Sequence, residues 1–120
     1  MTADEFRAMA LSLPDTMESS HMQHPDFRVG GKIFASLGYP SSEWGMVALT
    51  ADEQTRLCQA QPKVYSPANG AWGRGGATQI YLQLARKSSV RAALQVAWKN
   101  RVAKNAPAKK KAAKRARAKT

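Results

Sequence analysis

The sequence predicts a single α+β domain with a largely antiparallel sheet, followed by a disordered and strongly basic C-terminal tail. Apolar residues recur at helical spacing near the start and near the end of the segment 1–103. Several β-prone segments joined by glycine-rich turns lie between these two helical regions. Residues 104–120 contain no hydrophobic side chain larger than alanine, so they cannot bury enough apolar surface to offset the entropy lost on ordering. The predicted domain therefore spans residues 1–103 and the predicted tail residues 104–120.

Both of the first two predicted helices begin with the same capping sequence. Thr2-Ala3-Asp4-Glu5 and Thr50-Ala51-Asp52-Glu53 each place a threonine three residues before a glutamate. At this spacing both side chains can bond to unpaired backbone amides of the first turn. In the first helix, apolar residues recur at helical spacing from Phe6 to Leu13, and Pro14 bounds it. The second helix is expected to end before Pro62.

Three β-strands are predicted between these helices. Phe27-Arg28-Val29 and the segment from Ile33 to Leu37 flank Gly30-Gly31-Lys32. Two β-prone segments around a glycine pair are typical of a β-hairpin. Trp44 through Leu49 predicts the third strand, so the chain begins with the order α-β-β-β-α.

The second half of the domain predicts a further strand and a last helix. Val64-Tyr65 is compatible with one more short strand, and residues 66–76 are expected to form a structured loop. Residues 77–84 alternate as in a strand, and Ser88 or Ser89 is expected to cap the last helix. The side chains of this strand expected to point inward are Ile80, Leu82 and Leu84, and those expected to point outward are Gln79, Tyr81 and Gln83.

Charge is distributed very unevenly along the chain. The 19 basic and 8 acidic residues give a net charge of +11, yet every acid lies at or before Glu53. Such asymmetry favours a nucleic acid, an anionic membrane or an acidic protein as partner, with a merely solubilising tail as the alternative. The densest group, which we call the seven tail cations, consists of Lys109, Lys110, Lys111, Lys114, Arg115, Arg117 and Lys119.

Two longer motifs contain most of the glycines of the domain. Residues 24–35 are HPDFRVGGKIFA and residues 70–78 are GAWGRGGAT. They resemble the "HPxFRVxGKIFA" and "GxWGRxGxT" signatures of the MmcQ/YjbR family of small bacterial proteins, and the resemblance covers about residues 3 to 103. The resemblance implies a frataxin/CyaY-like fold, which is a twisted antiparallel sheet with helices packed on one face. It also implies a DNA-binding role of the kind described as a double wing.

Four residues in these motifs are candidate DNA contacts, namely Arg28, Lys32, Trp72 and Arg74. DNA binding needs cations for phosphates and donors or planar groups for bases. Arg28 and Lys32 flank a glycine turn, where a backbone can approach a ligand closely, and Arg74 lies beside the planar side chain of Trp72. In the structural alternative, Trp72 fills the core and Arg74 pairs with an acid such as Asp26 or Glu43.

The sequence contains no recognisable catalytic or cofactor motif. It has neither a nucleophile elbow nor the strand–GxxxxGK[ST]–helix frame of a phosphate-binding loop, so no enzyme activity and no cofactor are predicted. His21 and His24 have no third ligand of a metal shell beside them, so no metal site is predicted. Cys58 is the only cysteine and is expected to be a buried, inert thiol.

The leading hypothesis is a non-enzymatic DNA-binding protein. The tail would provide sequence-independent phosphate contacts, while the domain would contact duplex DNA through the Arg28–Lys32 hairpin and the Trp72–Arg74 loop. The alternatives are a protein- or RNA-interaction module with a polyanion-anchoring tail, and a small-molecule-binding domain. We expect a monomer without a membrane span, located in the cytoplasm and associated with the nucleoid if it binds DNA.

Overall fold

The structure of the chain is a computed structural model that describes residues 1–38 and 40–105. Within these residues the chain forms helices, strands and one 3-10 turn (Leu82–Leu84). In chain order the elements are α1 (Ala3–Leu11), β1 (Thr16–His21), β2 (His24–Val29), β3 (Lys32–Leu37), β4 (Trp44–Ala48), α2 (Ala51–Ala60), β5 (Tyr65–Pro67), α3 (Gly70–Arg74), β6 (Ala77–Tyr81) and α4 (Lys87–Asn105).

The strands form one six-stranded sheet in the order β1-β2-β3-β4-β6-β5, and each neighbouring pair is antiparallel. The predicted hairpin is confirmed, because β2 and β3 are joined by Gly30 and Gly31. Their φ angles of 59° and 80° are positive, a backbone region that glycine occupies without the strain imposed by a side chain. The predicted fold class, a single α+β domain with an antiparallel sheet, is therefore confirmed.

Both predicted capping boxes are formed. The amide of Glu5 donates to Thr2 Oγ1 over 3.1 Å, and the amide of Thr2 donates to Glu5 Oε1 over 2.9 Å. The corresponding distances at Thr50 and Glu53 are 3.2 and 2.8 Å. Each box satisfies two amides that the first turn of a helix otherwise leaves unpaired, which explains why α1 and α2 begin where the sequence predicts.

The first and last helices, α1 and α4, contact each other and pack against the same face of the sheet. Phe6 of α1 meets Phe27 of β2 with ring centroids 6.2 Å apart, and both side chains are fully buried. From α4, Val90, Leu94 and Ala97 are buried in the same core. This side of the sheet carries the hydrophobic core, and the opposite side is left to form the candidate site.

Two elements differ from the prediction. Strand β1 was not predicted, because its sequence TMESSH is polar and most of its side chains are exposed at the edge of the sheet. The loop expected over residues 66–76 contains the short helix α3. Its two glycines, Gly70 and Gly73, disfavour a helix locally, so its formation depends on the tertiary contacts described below.

The inward and outward assignments around β6 are partly wrong. Ile80 and Leu82 are buried as expected, but Leu84 is 53% exposed, because the 3-10 turn after β6 ends the alternation. Gln79 was expected to point into solvent and is instead buried. The expected cap is also wrong, because α4 begins at Lys87 and Ser89 lies inside its first turn, where its hydroxyl bonds to Tyr65 over 2.6 Å.

Candidate nucleic-acid interface

The sheet face opposite α1 and α4 carries a continuous row of mostly polar residues. Register partners in neighbouring antiparallel strands point to the same face. Because Phe27 points to the helices, its neighbour Asp26 points away from them. The row of partners that includes Asp26 crosses all six strands and consists of Ser19, Asp26, Ser36, Met46, Gln79 and Ser66. Buried polar side chains in this row are the first indication that the second face is covered.

A buried carboxylate organises one end of this row. Asp26 is fully buried, and its Oδ1 accepts a 2.8 Å hydrogen bond from Arg28 Nε while Oδ2 accepts one of 3.1 Å from Arg28 Nη2. His21 Nδ1 lies 2.8 Å from the same Oδ2. The bonds from Arg28, followed by that from His21, hold the pKa of Asp26 below its usual value despite the opposing effect of burial. Since the ionised carboxylate of Asp26 can only accept, Nδ1 of His21 donates this hydrogen bond.

The helix α3 covers this face and is fixed there by backbone contacts. Gln54 of α2 donates from Nε2 to the carbonyls of Gly73 and Ala77, both over 2.9 Å. A Cβ at Gly73 would lie 1.7 Å from the carbonyl oxygen of Ala68, so only glycine allows this approach. The side chain of Trp72 is 52% exposed, and its ring meets that of His21 edge to face with centroids 6.2 Å apart. The glycines of the second motif thus place Trp72 over the β1–β2 turn.

A cavity of about 210 Å³ lies between α3 and the polar row; we call it the α3 cavity. Ser36, Met46 and Gln79 of the row line it, together with His21 and Trp72. The side chains of Ser36 and Gln79 are 5% and 8% exposed, and neither makes a hydrogen bond within residues 1–38 and 40–105. The cavity therefore combines apolar walls with polar groups that have unused hydrogen-bonding capacity.

A second, more open depression adjoins the α3 cavity; we call it the basic groove. It shares Trp72 and Met46 with the cavity and is also lined by Arg28, Lys32 and Arg101. Its lining residues include these three cations and no acid, although Asp26 is bonded to Arg28. Lys32 is exposed and makes no ion pair in the described part of the chain. Lys32 and Arg101 are thus the cations of the groove whose charge is not directly neutralised.

The end of α4 forms one wall of the basic groove. Arg101 donates from Nε to the carbonyl of Ile33 over 2.8 Å, which leaves its other guanidinium donors for a ligand. Asn100 donates to the carbonyl of Ala48 over 3.2 Å and to Glu53 Oε1 over 2.9 Å. These bonds tie α4 to β3, β4 and α2. The chain leaves the described region at residue 105, only one helical turn beyond Arg101.

The structure brings together three of the four predicted contacts of the domain. Arg28, Lys32 and Trp72 line the basic groove, whereas Arg74 is exposed on α3 and does not line it. The structural alternative for this motif is wrong on both counts, because Trp72 is 52% exposed and Arg74 makes no ion pair with Asp26 or Glu43 in the described part of the chain. The seven tail cations lie outside the described residues.

Sequence reasoning missed Arg101 and Gln79 as members of the site. Arg101 belongs to the basic stretch that begins at Lys99, but its place on the groove depends on how α4 crosses the sheet. Gln79 was assigned to solvent because polar residues alternate with apolar ones along β6. The signal that could have corrected this is the glycine-rich segment before β6, which can cover the second face.

Neither a metal site nor a membrane-spanning helix is found in the described part of the chain. Residues 1–38 and 40–105 contain no group of three or more His, Cys, Asp and Glu side chains arranged to hold a metal ion. None of the helices in this part is long and apolar enough to cross a membrane. Cys58 is half-buried, and burial raises the pKa of its thiol, which disfavours the reactive thiolate.

Comparison with known proteins identifies the family. The sequence model of the YjbR family matches residues 11–100. The chain belongs to the YjbR family. A crystal structure of the Deinococcus radiodurans protein DR2400, which carries the family-model domain DUF419, is similar to this YjbR chain with a TM-score of 0.68 and 16% sequence identity. The likeness covers 81% of this chain and 75% of that one, and at this identity it concerns the fold. No curated protein matches the chain.

Proposed function

We propose that this YjbR protein is a non-enzymatic DNA-binding protein that uses the basic groove of the domain together with its C-terminal cations. The observation that carries the proposal is the position of Lys32 and Arg101 beside Trp72 in one groove, with a cationic segment following directly from α4. Cations that line an open groove suit a phosphate backbone, and a half-exposed indole suits a sugar or base. The groove supplies register, and the tail supplies affinity.

The contribution of the domain by itself is expected to be modest. Arg28 is one of the three cations of the groove, and its charge is largely compensated by Asp26. Lys32 and Arg101 remain, and two phosphate contacts on duplex DNA give a log–log salt slope near −1.8 at about −0.9 per contact. Such a slope corresponds to weak binding that becomes measurable at low salt.

The tail is expected to contribute most of the salt-sensitive affinity. Lys109, Arg115 and the other five tail cations lie within eleven residues, so a short stretch of duplex can meet them together. With five to seven phosphate contacts, affinity should fall about a thousandfold when salt rises from about 50 to about 200 mM. Contacts of this kind carry no sequence information, so low sequence specificity is expected.

The experiment compares the full chain with a tail-neutral chain, in which all seven tail cations are replaced by glutamine. Fluorescence anisotropy with a labelled duplex is measured across a salt series for both. We expect the affinity of the full chain for duplex DNA to depend steeply on salt. The tail-neutral chain should bind weakly but measurably, with a log–log salt slope near −2. Absence of salt-sensitive duplex binding by the full chain would contradict the proposal, and preference for structured RNA of equal charge would favour the RNA alternative.

A further inference from the structure

The α3 cavity has the features of a ligand site rather than of a packing defect. The side-chain amide of Gln79 and the hydroxyl of Ser36 are both more than nine-tenths buried and line this cavity. Within residues 1–38 and 40–105 neither side chain has a hydrogen-bond partner. Buried polar groups in native proteins are nearly always paired, so an unpaired donor–acceptor group facing a cavity needs an explanation. A bound molecule with complementary polar atoms provides one.

The walls of the cavity favour a flat molecule. Trp72 forms one side and the thioether of Met46 lies in the floor, and both kinds of group pack well on an aromatic ring. The volume of about 210 Å³ is below the range of roughly 300–1,000 Å³ typical of sites for drug-sized ligands, so it suits a single ring system. The amide of Gln79 offers a donor beside an acceptor, a pair that matches the edge of a nucleobase.

The neighbouring groove favours a phosphate attached to that ring. Trp72 and Met46 line both depressions, so a molecule seated in the cavity can extend directly into the basic groove. Lys32 and Arg101 line the groove and are not neutralised by an ion pair in the described part of the chain. A base in the cavity with its phosphate in the groove would use both sets of groups at once. A Watson–Crick paired base cannot do this, because its edge is occupied and its faces are stacked.

We infer that the α3 cavity binds one unpaired nucleobase, with the attached phosphate in the basic groove. The inference rests on the proposed function and deepens it, since it assigns the domain a preference for single-stranded over duplex nucleic acid. Trp72 stacks on the base, and Gln79 bonds to its edge. The same nucleotide unit can come from a single strand or from a free mononucleotide.

The test uses the tail-neutral chain, so that the tail does not mask the domain. Binding of a labelled 12-nucleotide single strand and of the same strand in duplex form is measured by anisotropy. Trp72→Ala should weaken single-strand binding about fivefold to a hundredfold, which is the range expected for the loss of one base–aromatic stack. The same variant should change duplex binding by less than about twofold. Trp72→Phe should restore most of the affinity. Leu84→Ala, at a residue of matching exposure (53% against 52%) outside both depressions, is the control.

A second variant separates binding from folding. Gln79→Leu removes the donor and acceptor and keeps the volume, so stability should be unchanged or increased, because a buried amide without partners is replaced by an apolar group. Single-strand affinity should nevertheless fall about fivefold or more. A purely structural role for Gln79 predicts the opposite pattern, with lower stability and unchanged affinity, and would overturn the inference.

The outcomes distinguish the inference from the proposed function. If duplex and single strand bind equally and neither Trp72→Ala nor Gln79→Leu affects them, the base site is refuted and the groove proposal stands. If the tail-neutral chain binds neither, both fail. Thymidine monophosphate or deoxyadenosine monophosphate is then added to compete with the labelled single strand. If either one displaces the strand from the tail-neutral chain but not from its Trp72→Ala variant, the site binds free nucleotides as well as strands. Trp72-dependent strand binding without such competition assigns it to a base within a strand.

Discussion

The indole of Trp72 meets the imidazole of His21 edge to face, with ring centroids 6.2 Å apart, although the two residues belong to elements at opposite edges of the sheet. His21 ends the edge strand β1, and Trp72 belongs to the helix that follows the other edge strand, β5. This contact closes the second face of the sheet and creates the α3 cavity beneath it. The shape of the α3 cavity therefore depends on what holds His21 and α3 in place.

Asp26→Asn should destabilise the domain by about 1–3 kcal/mol, because Arg28 and His21 lose the buried carboxylate to which both are bonded. The folded-state pKa of Asp26 is depressed, so its stabilising contribution is present above the ordinary carboxyl pKa of about 3.9 and disappears as pH falls through the folded-state value. Urea unfolding at several pH values measures this. The difference from wild type should be largest near neutrality and shrink below about pH 4.

The control for this prediction is Glu18→Gln, which breaks the ion pair between Glu18 and Arg7 on the exposed side of α1. Exposed pairs of this kind contribute about 0–1 kcal/mol. An Asp26→Asn effect no larger than that of Glu18→Gln, or one independent of pH, would contradict the role assigned to Asp26.

Gly73→Ala should destabilise the domain by about 1–3 kcal/mol or more, because the new Cβ would lie 1.7 Å from the backbone oxygen of Ala68 and would displace α3. Gly75→Ala is the matched control, since Gly75 has a φ of −85° and its added Cβ would make ordinary contacts at 3.5 Å. Thermal unfolding compares the two variants. Equal stability of the two would mean that α3 is not held against Ala68 as described.

Thr50→Ala should cost about 0.5–2 kcal/mol, because the amide of Glu53 loses its side-chain acceptor at the start of α2. Thr55 is an exposed residue of the same helix, and its hydroxyl donates a hydrogen bond to the carbonyl of Ala51. Thr55→Ala should therefore be neutral or slightly stabilising, since alanine is the better helix former. Denaturant midpoints of the two variants check the prediction, which fails if the order is reversed.

Features set by local sequence could be predicted, and features set by distant contacts could not. The capping boxes at Thr2 and Thr50 and the turn at Gly30-Gly31 depend on a few neighbouring residues, and all three are formed. The strand β1 is polar and exposed, and pairing with β2 is what makes it a strand. Helix α3 contains glycines that disfavour a helix, and the bonds from Gln54 hold it in place.

The same division applies to the candidate site. The proximity of Arg28 and Lys32 follows from the hairpin, which the sequence predicts. The pairing of Arg28 with Asp26 was not predicted, although their spacing of two residues along β2 places both side chains on one face. Arg101 could not be placed on the groove, because that requires the crossing direction of α4 over the sheet. The covering of Gln79 required knowledge of α3.

The most direct test of the central claim is the salt dependence of duplex binding by the tail-neutral chain carrying Lys32→Gln, Arg101→Gln or both. Lys63→Gln is the matched control, because Lys63 is an exposed cation on a different surface, beside Gln61. Each groove substitution should weaken binding and reduce the steepness of the log–log salt slope by about 1, while the control should leave both nearly unchanged. Equal effects of Lys63→Gln and the groove variants would contradict the claim that the domain binds DNA through this groove.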